Sequence, residues 1–150
     1  SCVIRAYNGT EPESTKTVAV IPGTCTHDMA ADTFAQPTGI VLDHTDPGIA
    51  YVADSGAGSI VKVNLKDGST SRVVGTGSNS ASGSSIVPDN ELTTQLKTPT
   101  GIFLQGRSIY TIALLSNGAY DAALLKYNLA TGVVSTVMEF ETGLTPAQEA

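Results

Sequence analysis

The stretch that decides the fold is Pro37-Thr38-Gly39-Ile40-Val41-Leu42, which returns further along as Pro99-Thr100-Gly101-Ile102-Phe103-Leu104. In both copies the tripeptide Pro-Thr-Gly precedes three apolar residues. Repetition of motifs in a fixed order is typical of proteins that stack copies of one structural unit. The sequence therefore predicts a tandem repeat.

A second motif follows each copy of the first. Val61-Lys62-Val63-Asn64-Leu65 matches Leu125-Lys126-Tyr127-Asn128-Leu129, and Ile4-Arg5-Ala6-Tyr7-Asn8 is a third version near the start. After each version come a turn and a stretch rich in Thr, Ser and Val. Because the order of the pieces is the same each time, we expect two full units and the second half of an earlier one.

Each full unit is predicted to form four short strands, because β-branched residues are concentrated in runs bounded by Gly, Asp or Asn. The predicted strands are 39–43, 49–53, 59–65 and 69–74 in the first unit, and 101–104, 108–115, 122–129 and 133–138 in the second. Repeated sheets of four antiparallel strands are typical of β-propeller blades. The predicted fold class is therefore all-β, with an incomplete ring of blades in this chain.

Two turns connect the second and third strands of the units. In the first unit the turn is Asp54-Ser55-Gly56-Ala57-Gly58, and in the second it is Ser116-Asn117-Gly118. We expect Asp54 to cap its turn by accepting backbone hydrogen bonds, and Asn117 and Gly118 to shape the other. Calcium binding by Asp43, Asp46 and Asp54 is the alternative, but their spacing is not that of an EF-hand loop.

These residues resemble a known family. The segments Pro37-Thr38-Gly39-Ile40-Val41-Leu42-Asp43, Ala50-Tyr51-Val52-Ala53-Asp54-Ser55 and Ser59-Ile60-Val61-Lys62-Val63-Asn64-Leu65 are similar to the NHL repeat, a β-propeller family named for its Asn-His-Leu element. The resemblance extends from about Ile4 to Met138. It is looser in the second unit, where Ile112-Ala113-Leu114 stands in place of Val-Ala-Asp.

The resemblance implies a division of the chain into blades and linkers. The expected segments are strands of a preceding blade (1–24), a linker (25–36), the first full blade (37–75), a Ser/Gly-rich insertion (76–97), the second full blade (98–140) and the start of the next linker (141–150). Propellers generally have four to eight blades. We therefore expect these 150 residues to be an excerpt of a longer chain, or else to pack against neighbouring copies.

Composition and charge exclude several classes of function. The formal net charge is −6, and the eight Lys and Arg residues are scattered, so the chain lacks the basic surface that nucleic acids require. No apolar run approaches the roughly 20 residues of a transmembrane helix. We expect neither a nucleic-acid partner nor a transmembrane segment.

The two cysteines and one sequon favour an extracellular or cell-surface location. If Tyr7 lies opposite about Lys16 in the first hairpin, Cys2 comes near residues 21–22 and hence near Cys25, so a disulfide is expected. Two buried reduced thiols are the alternative. Asn8 begins the N-glycosylation sequon Asn-Gly-Thr, and Ser and Thr outnumber the charged residues. Together these features predict a secreted glycoprotein.

Few residues point to catalysis. His27 and His44 are the only histidines, and no Gly-x-Ser-x-Gly motif is present. A zinc site normally takes four ligands, which this pair does not complete. We expect no catalytic residue, metal or cofactor. The family resemblance nevertheless implies one enzymatic alternative, a lyase that holds zinc through several histidines in its channel.

The second hairpin of the second unit is the candidate interaction surface, because it is long and apolar on both faces. Its expected interface residues are Ile112, Leu114, Leu115, Tyr120 and Leu124. Packing between adjacent blades is the alternative explanation. The predicted function is a non-enzymatic scaffold that binds a protein or glycan partner. A structural subunit of an extracellular filament, assembled from identical copies, is the second prediction.

Overall fold

The structure is a computed structural model, and it describes residues 3–6, 16–20, 34–75, 77, 96–114 and 122–140. Within these ranges every regular element is a β-strand. Ten strands among the described residues form a two-stranded sheet and two four-stranded sheets, all antiparallel. The predicted all-β fold with four-stranded antiparallel sheets is confirmed.

The two larger sheets follow the chain in simple up-and-down order. Sheet 1 contains β3 (Pro37–Leu42), β4 (Ile49–Asp54), β5 (Ser59–Asn64) and β6 (Thr70–Gly75). Sheet 2 contains β7 (Ile102–Gln105), β8 (Ser108–Leu114), β9 (Ala122–Asn128) and β10 (Val134–Phe140). Each corresponds to a strand predicted from the sequence, with no end displaced by more than about two residues.

The two-stranded sheet lies at the start of the chain. It pairs β1 (Val3–Ala6) with β2 (Lys16–Val20), with a bulge between Ile4 and Arg5. Ala6 is the residue opposite Lys16, one position from the expected Tyr7, whereas Val3 opposite Val20 and Ile4 opposite Ala19 keep the register that the expected pairing implies. Cys2, Cys25 and Asn8 lie outside the described residues, and the disulfide and the glycosylation site stay predictions.

The turn between the third and fourth strands has the same construction in both sheets. Gly68 N donates to Asn64 O, and Gly132 N donates to Asn128 O, each at 2.8 Å. The side-chain oxygen of each Asn also accepts a backbone hydrogen bond two residues further on, at 2.9 Å. Both glycines have positive φ, 77° and 72°, which glycine adopts without steric cost. Identical local chemistry thus forms identical turns.

Each sheet has two faces, because alternate side chains of a strand point in opposite directions. We call the face of Ile40 and Leu42 the front face of sheet 1, and the face of Val41 and Tyr51 its back face. The equivalent residues of sheet 2 place Ile102 and Leu104 on its front face, and Phe103 and Tyr110 on its back face.

The main core lies between the back face of sheet 1 and the front face of sheet 2. Its buried residues from sheet 1 are Tyr51, Ala53, Ile60 and Val74; those from sheet 2 and the segment before it are Leu96, Leu104, Ile109, Ala113, Ala123, Leu125, Tyr127 and Val134. The two sheets therefore stack front to back. This arrangement is consistent with successive blades of a propeller.

The sheets approach each other most closely along β3 and β7. Thr38 Oγ1 donates a hydrogen bond to Pro99 O at 3.0 Å. A Cβ atom on Gly39 would lie only 3.1 Å from Ile102 Cγ2 and 3.2 Å from Thr100 O. Glycine at position 39 thus allows the backbone of one sheet to lie against the other.

A smaller core covers part of the front face of sheet 1. Phe34 packs there against Ala50, Val52, Val61 and Val63. Phe34 precedes Pro37 by the same spacing as Leu96 precedes Pro99, and Leu96 lies in the core between the two sheets. Each sheet therefore carries a large apolar side chain from the preceding segment on its front face.

The end of β6 depends on a glycine. Gly75 has φ +98°, and a Cβ there would collide with the carbonyl oxygen of Gly58. We expect Gly75→Ala to lower the free energy of unfolding by about 3 kcal/mol. Gly106→Ala is the control: it also has positive φ (+58°) but open space around its Cβ, so about 1 kcal/mol is expected. Urea denaturation measures both, and equal losses would contradict a steric role for Gly75.

Candidate interaction surface

The back face of sheet 2 is apolar and exposed within the described part of the chain. Phe103 lies opposite Tyr110, Ile112 opposite Leu124, and Leu124 opposite Met138. Phe103 is 59% exposed, Met138 54% and Ile112 43%. Large apolar residues this accessible and this close together mark interaction sites more often than isolated ones do.

A groove of about 280 Å³ runs across this face. It is lined by Gly101, Ile102, Phe103, Tyr110, Thr111, Ile112 and Leu124. The rings of Phe103 and Tyr110 stand 6.5 Å apart between centroids, tilted by 42°, within the range of favourable aromatic pairs. The hydroxyl of Thr111 donates to Gly101 O at 2.6 Å. Five of the seven lining residues carry no polar side-chain atom, so the groove is apolar in character.

Three of the five residues predicted as an interface lie on this face. Ile112 and Leu124 are cross-strand neighbours, and Leu114 continues the row opposite Ala122. Leu115 and Tyr120 lie outside the described residues. The alternative, packing between adjacent blades, applies to the opposite face of the same hairpin, where Ala113, Ala123 and Leu125 are buried in the core.

Sequence reasoning missed Phe103, Tyr110, Met138 and Phe140 as members of this face. Phe140 is 37% exposed and lies opposite Ala122. The available signal was the register: β7 and β10 flank the predicted hairpin, and the alternation of side chains places these residues beside Ile112 and Leu114. The predicted interface is confined to the hairpin, whereas the exposed face extends over both flanking strands.

One lysine lies on the face among the described residues. Lys126 is half-buried, opposite Tyr110 on one side and Ser135 on the other. Lys62 holds the equivalent position beside Tyr51 on the back face of sheet 1. Since that face is covered by sheet 2, a lysine at this position is compatible with packing, its aliphatic stem lying along apolar surface.

Asp54 connects sheet 1 to the segment that precedes it. Its side chain is fully buried; Oδ2 accepts a hydrogen bond from Ala35 N at 2.7 Å, and Oδ1 accepts one from Gln36 N at 2.7 Å. Oδ1 also accepts from Ala57 N, in the turn, at 3.3 Å. The expected bond within the turn is present, while the bonds to residues 35 and 36 were not anticipated.

Sheet 2 makes the equivalent connection through its backbone. Leu114 N donates to Lys97 O at 2.8 Å, and Ala113 and Leu114 occupy the end of the strand where sheet 1 has its carboxylate. Asn117 and Gly118 lie outside the described residues, so the predicted turn there stays a prediction.

Asp54→Ala should lower the free energy of unfolding by about 2–4 kcal/mol, because it removes the carboxylate that accepts hydrogen bonds from the backbone amides of Ala35, Gln36 and Ala57. Asp67→Ala is the matched control, since Asp67 also accepts a backbone hydrogen bond, from Ser69 N at 2.8 Å, but in an exposed turn. Thermal unfolding of both variants tests this. A comparable loss from the two substitutions would show that burial does not matter.

Asp43 organises the turn between β3 and β4. Its Oδ1 accepts hydrogen bonds from Thr45 Oγ1 at 2.6 Å, Thr45 N at 2.8 Å and Asp46 N at 3.3 Å. The side-chain bond from Thr45 is the main reason that the pKa of Asp43 lies below its usual value, and the positive charge of Arg107 contributes. Beside it, burial raises the pKa of the Tyr51 hydroxyl.

These carboxylates are not gathered into a metal site in the described residues. No three side chains of His, Cys, Asp or Glu there are placed to share an ion. Asp43 and Asp54 direct their oxygens to backbone amides. His44 is exposed in the turn, and His27 lies outside the described residues.

Because the pKa of Asp43 is lowered in the folded state, the free energy of unfolding depends on pH in the acidic range. Its folded-state pKa is below the unfolded value of about 3.8, so the stabilisation is complete above that value and is lost as the pH falls through the folded pKa. We expect Asp43→Asn, which keeps an oxygen acceptor without a titrating charge, to weaken the pH dependence below about pH 4. Urea denaturation between about pH 2 and pH 6 tests this, and an unchanged pH profile would contradict it.

Neither a membrane-spanning helix in the described part of the chain nor a match to a known protein points to a function for this surface. Among the residues that the structure describes, no helix has the length and apolar character to cross a membrane. No model of a known protein family matches the chain, and no curated protein matches it. The resemblance to NHL repeats therefore rests on the residues quoted above.

Proposed function

We propose that this chain is a non-enzymatic scaffold, part of an NHL-like β-propeller, that binds a protein partner through the back face of sheet 2. The observation that carries the proposal is the exposed apolar face itself, centred on Phe103, Ile112 and Leu124. The equivalent face of sheet 1 is buried in the core. A surface of this composition is stabilised when a partner removes it from water.

The groove favours a protein over a glycan. Sugars present many hydroxyl groups, which need hydrogen-bonding partners when they leave water. The groove lining offers few: its side-chain hydroxyl groups are those of Tyr110 and Thr111, the Thr111 hydroxyl already donates to Gly101 O, and the other lining residues are apolar or glycine. Apolar and aromatic side chains of a protein match it better.

The setting proposed for this scaffold is extracellular. It rests on the sequence: the sequon at Asn8, the cysteine pair Cys2 and Cys25, and a surface rich in Ser and Thr. Disulfides persist in oxidising compartments, and sequons are glycosylated in secreted proteins.

A photoreactive residue on the face tests the proposed function. Phe103 is replaced by a benzophenone amino acid, and the full chain is irradiated in its native surroundings. We expect protein adducts at position 103, resolved by mass spectrometry. Adding Ile112→Asp should remove most of them, because a charge in an apolar contact is costly to desolvate.

The control places the same photoreactive residue at His44, an exposed position in the turn after β3. Equal labelling of proteins at positions 103 and 44 would overturn the proposal. So would binding to an array of glycans that disappears with Ile112→Asp while no protein adduct forms, since the partner would then be a sugar.

A further inference from the structure

The back faces of sheet 1 and sheet 2 correspond position by position, with Gly, Tyr and Lys at the same places in both. Val41 pairs with Tyr51 in sheet 1, and Phe103 pairs with Tyr110 in sheet 2. Lys62 continues the first row and Lys126 the second. The second row of sheet 1, Gly39-Ala53-Ile60-Val74, corresponds to Gly101-Ile112-Leu124-Met138. The back face of sheet 1 is covered by sheet 2, whereas that of sheet 2 is exposed at Phe103, Ile112 and Met138 and is covered by no other described strand.

The glycines show the difference most directly. A Cβ on Gly39 would meet Ile102 and Thr100 of the neighbouring sheet at 3.1 and 3.2 Å, whereas a Cβ on Gly101 would meet nothing within 4 Å. Beside Gly39, Thr38 donates a hydrogen bond to Pro99 O across the interface. Its equivalent Thr100 is exposed beside Gly101. The Thr-Gly pair that lies against β7 in sheet 1 therefore has an exposed counterpart, Thr100-Gly101, in sheet 2.

A surface that fits this face is present on the same chain. Ile40 and Leu42, on the front face of sheet 1, are 52% and 53% exposed. Their equivalents on sheet 2 are Ile102 and Leu104, which pack into the core against the back face of sheet 1. Phe34 packs on the front face of sheet 1, and its equivalent Leu96 packs on the front face of sheet 2, in the core between the two sheets.

We propose that the back face of sheet 2 binds the front face of sheet 1 in a second copy of this chain. Ile40 and Leu42 of one copy would lie against Gly101 and Phe103 of the next, as Ile102 and Leu104 lie against sheet 1 within a single copy. The inference rests on the proposed function and specifies its partner. Two different surfaces meet in such a contact, so repetition gives a ring if the rotation closes and a fibre if it does not.

Single substitutions on each surface test the pairing. Leu42→Asp blocks the front face of sheet 1, and Ile112→Asp blocks the back face of sheet 2; both residues are exposed, so folding should be retained. The full chain is studied by analytical ultracentrifugation from about 1 μM to about 500 μM. We expect the unchanged chain to associate with rising concentration, and each variant alone to remain monomeric with its dissociation constant raised at least about 100-fold.

Mixing the two variants is the decisive measurement. Each retains the surface that the other lacks, so an equimolar mixture should form one discrete heterodimer and no larger species. Ala130→Asp adds the same charge in an exposed turn and should associate like the unchanged chain. Circular dichroism and thermal unfolding establish that all variants are folded.

Three outcomes would overturn the inference. The first is that the unchanged chain remains monomeric throughout the concentration range. The second is that the Leu42→Asp variant dimerises by itself, which would indicate pairing of two identical back faces. The third is that the mixture fails to form a heterodimer. If the chain is monomeric but position 103 still captures other proteins, the inference fails and the proposed function stands. If position 103 captures nothing, the proposed function fails as well.

Discussion

A four-stranded sheet that is apolar on both faces is unstable alone in water, and this constraint shapes the whole molecule. Sheet 1 satisfies it on its back face by packing against sheet 2, and on its front face in part through Phe34. In proteins built from stacked units, each unit is stabilised by its contacts with its neighbours. The back face of sheet 2, exposed among the described residues, is subject to the same constraint, because its residues correspond in position to those on the back face of sheet 1 that sheet 2 covers.

The close approach of β3 to β7 depends on small features of the chain near the backbone. Gly39 removes the side chain that would separate β3 from β7, and Thr38 adds a hydrogen bond across the gap. Asp54 then fixes the preceding segment against sheet 1 through the amides of Ala35 and Gln36. Holding that segment in place positions Phe34, so a buried carboxylate helps to build an apolar core.

The strands and their turns could be predicted from the sequence because their causes are local. Short runs rich in apolar residues and bounded by turn residues define β3 to β10, and the Asn-to-Gly turns at Asn64 and Asn128 close through bonds within five residues or fewer. In the first hairpin the expected register holds at Val3 and Ile4 and is shifted by one residue at Arg5 and Ala6, because a bulge lies between Ile4 and Arg5. A bulge adds a residue to one strand, and composition does not reveal where it falls.

By itself the sequence determined the all-β class, the repeat and the position of each strand, since these depend on alternation and turn residues close together in the chain. Only the tertiary structure decided which face of each sheet is buried. Ile112 and Ala113 are neighbours in one apolar run, yet Ala113 lies in the core and Ile112 is exposed. The reason is physical: alternation divides a strand into two faces, but the stacking of the sheets selects the one that leaves water.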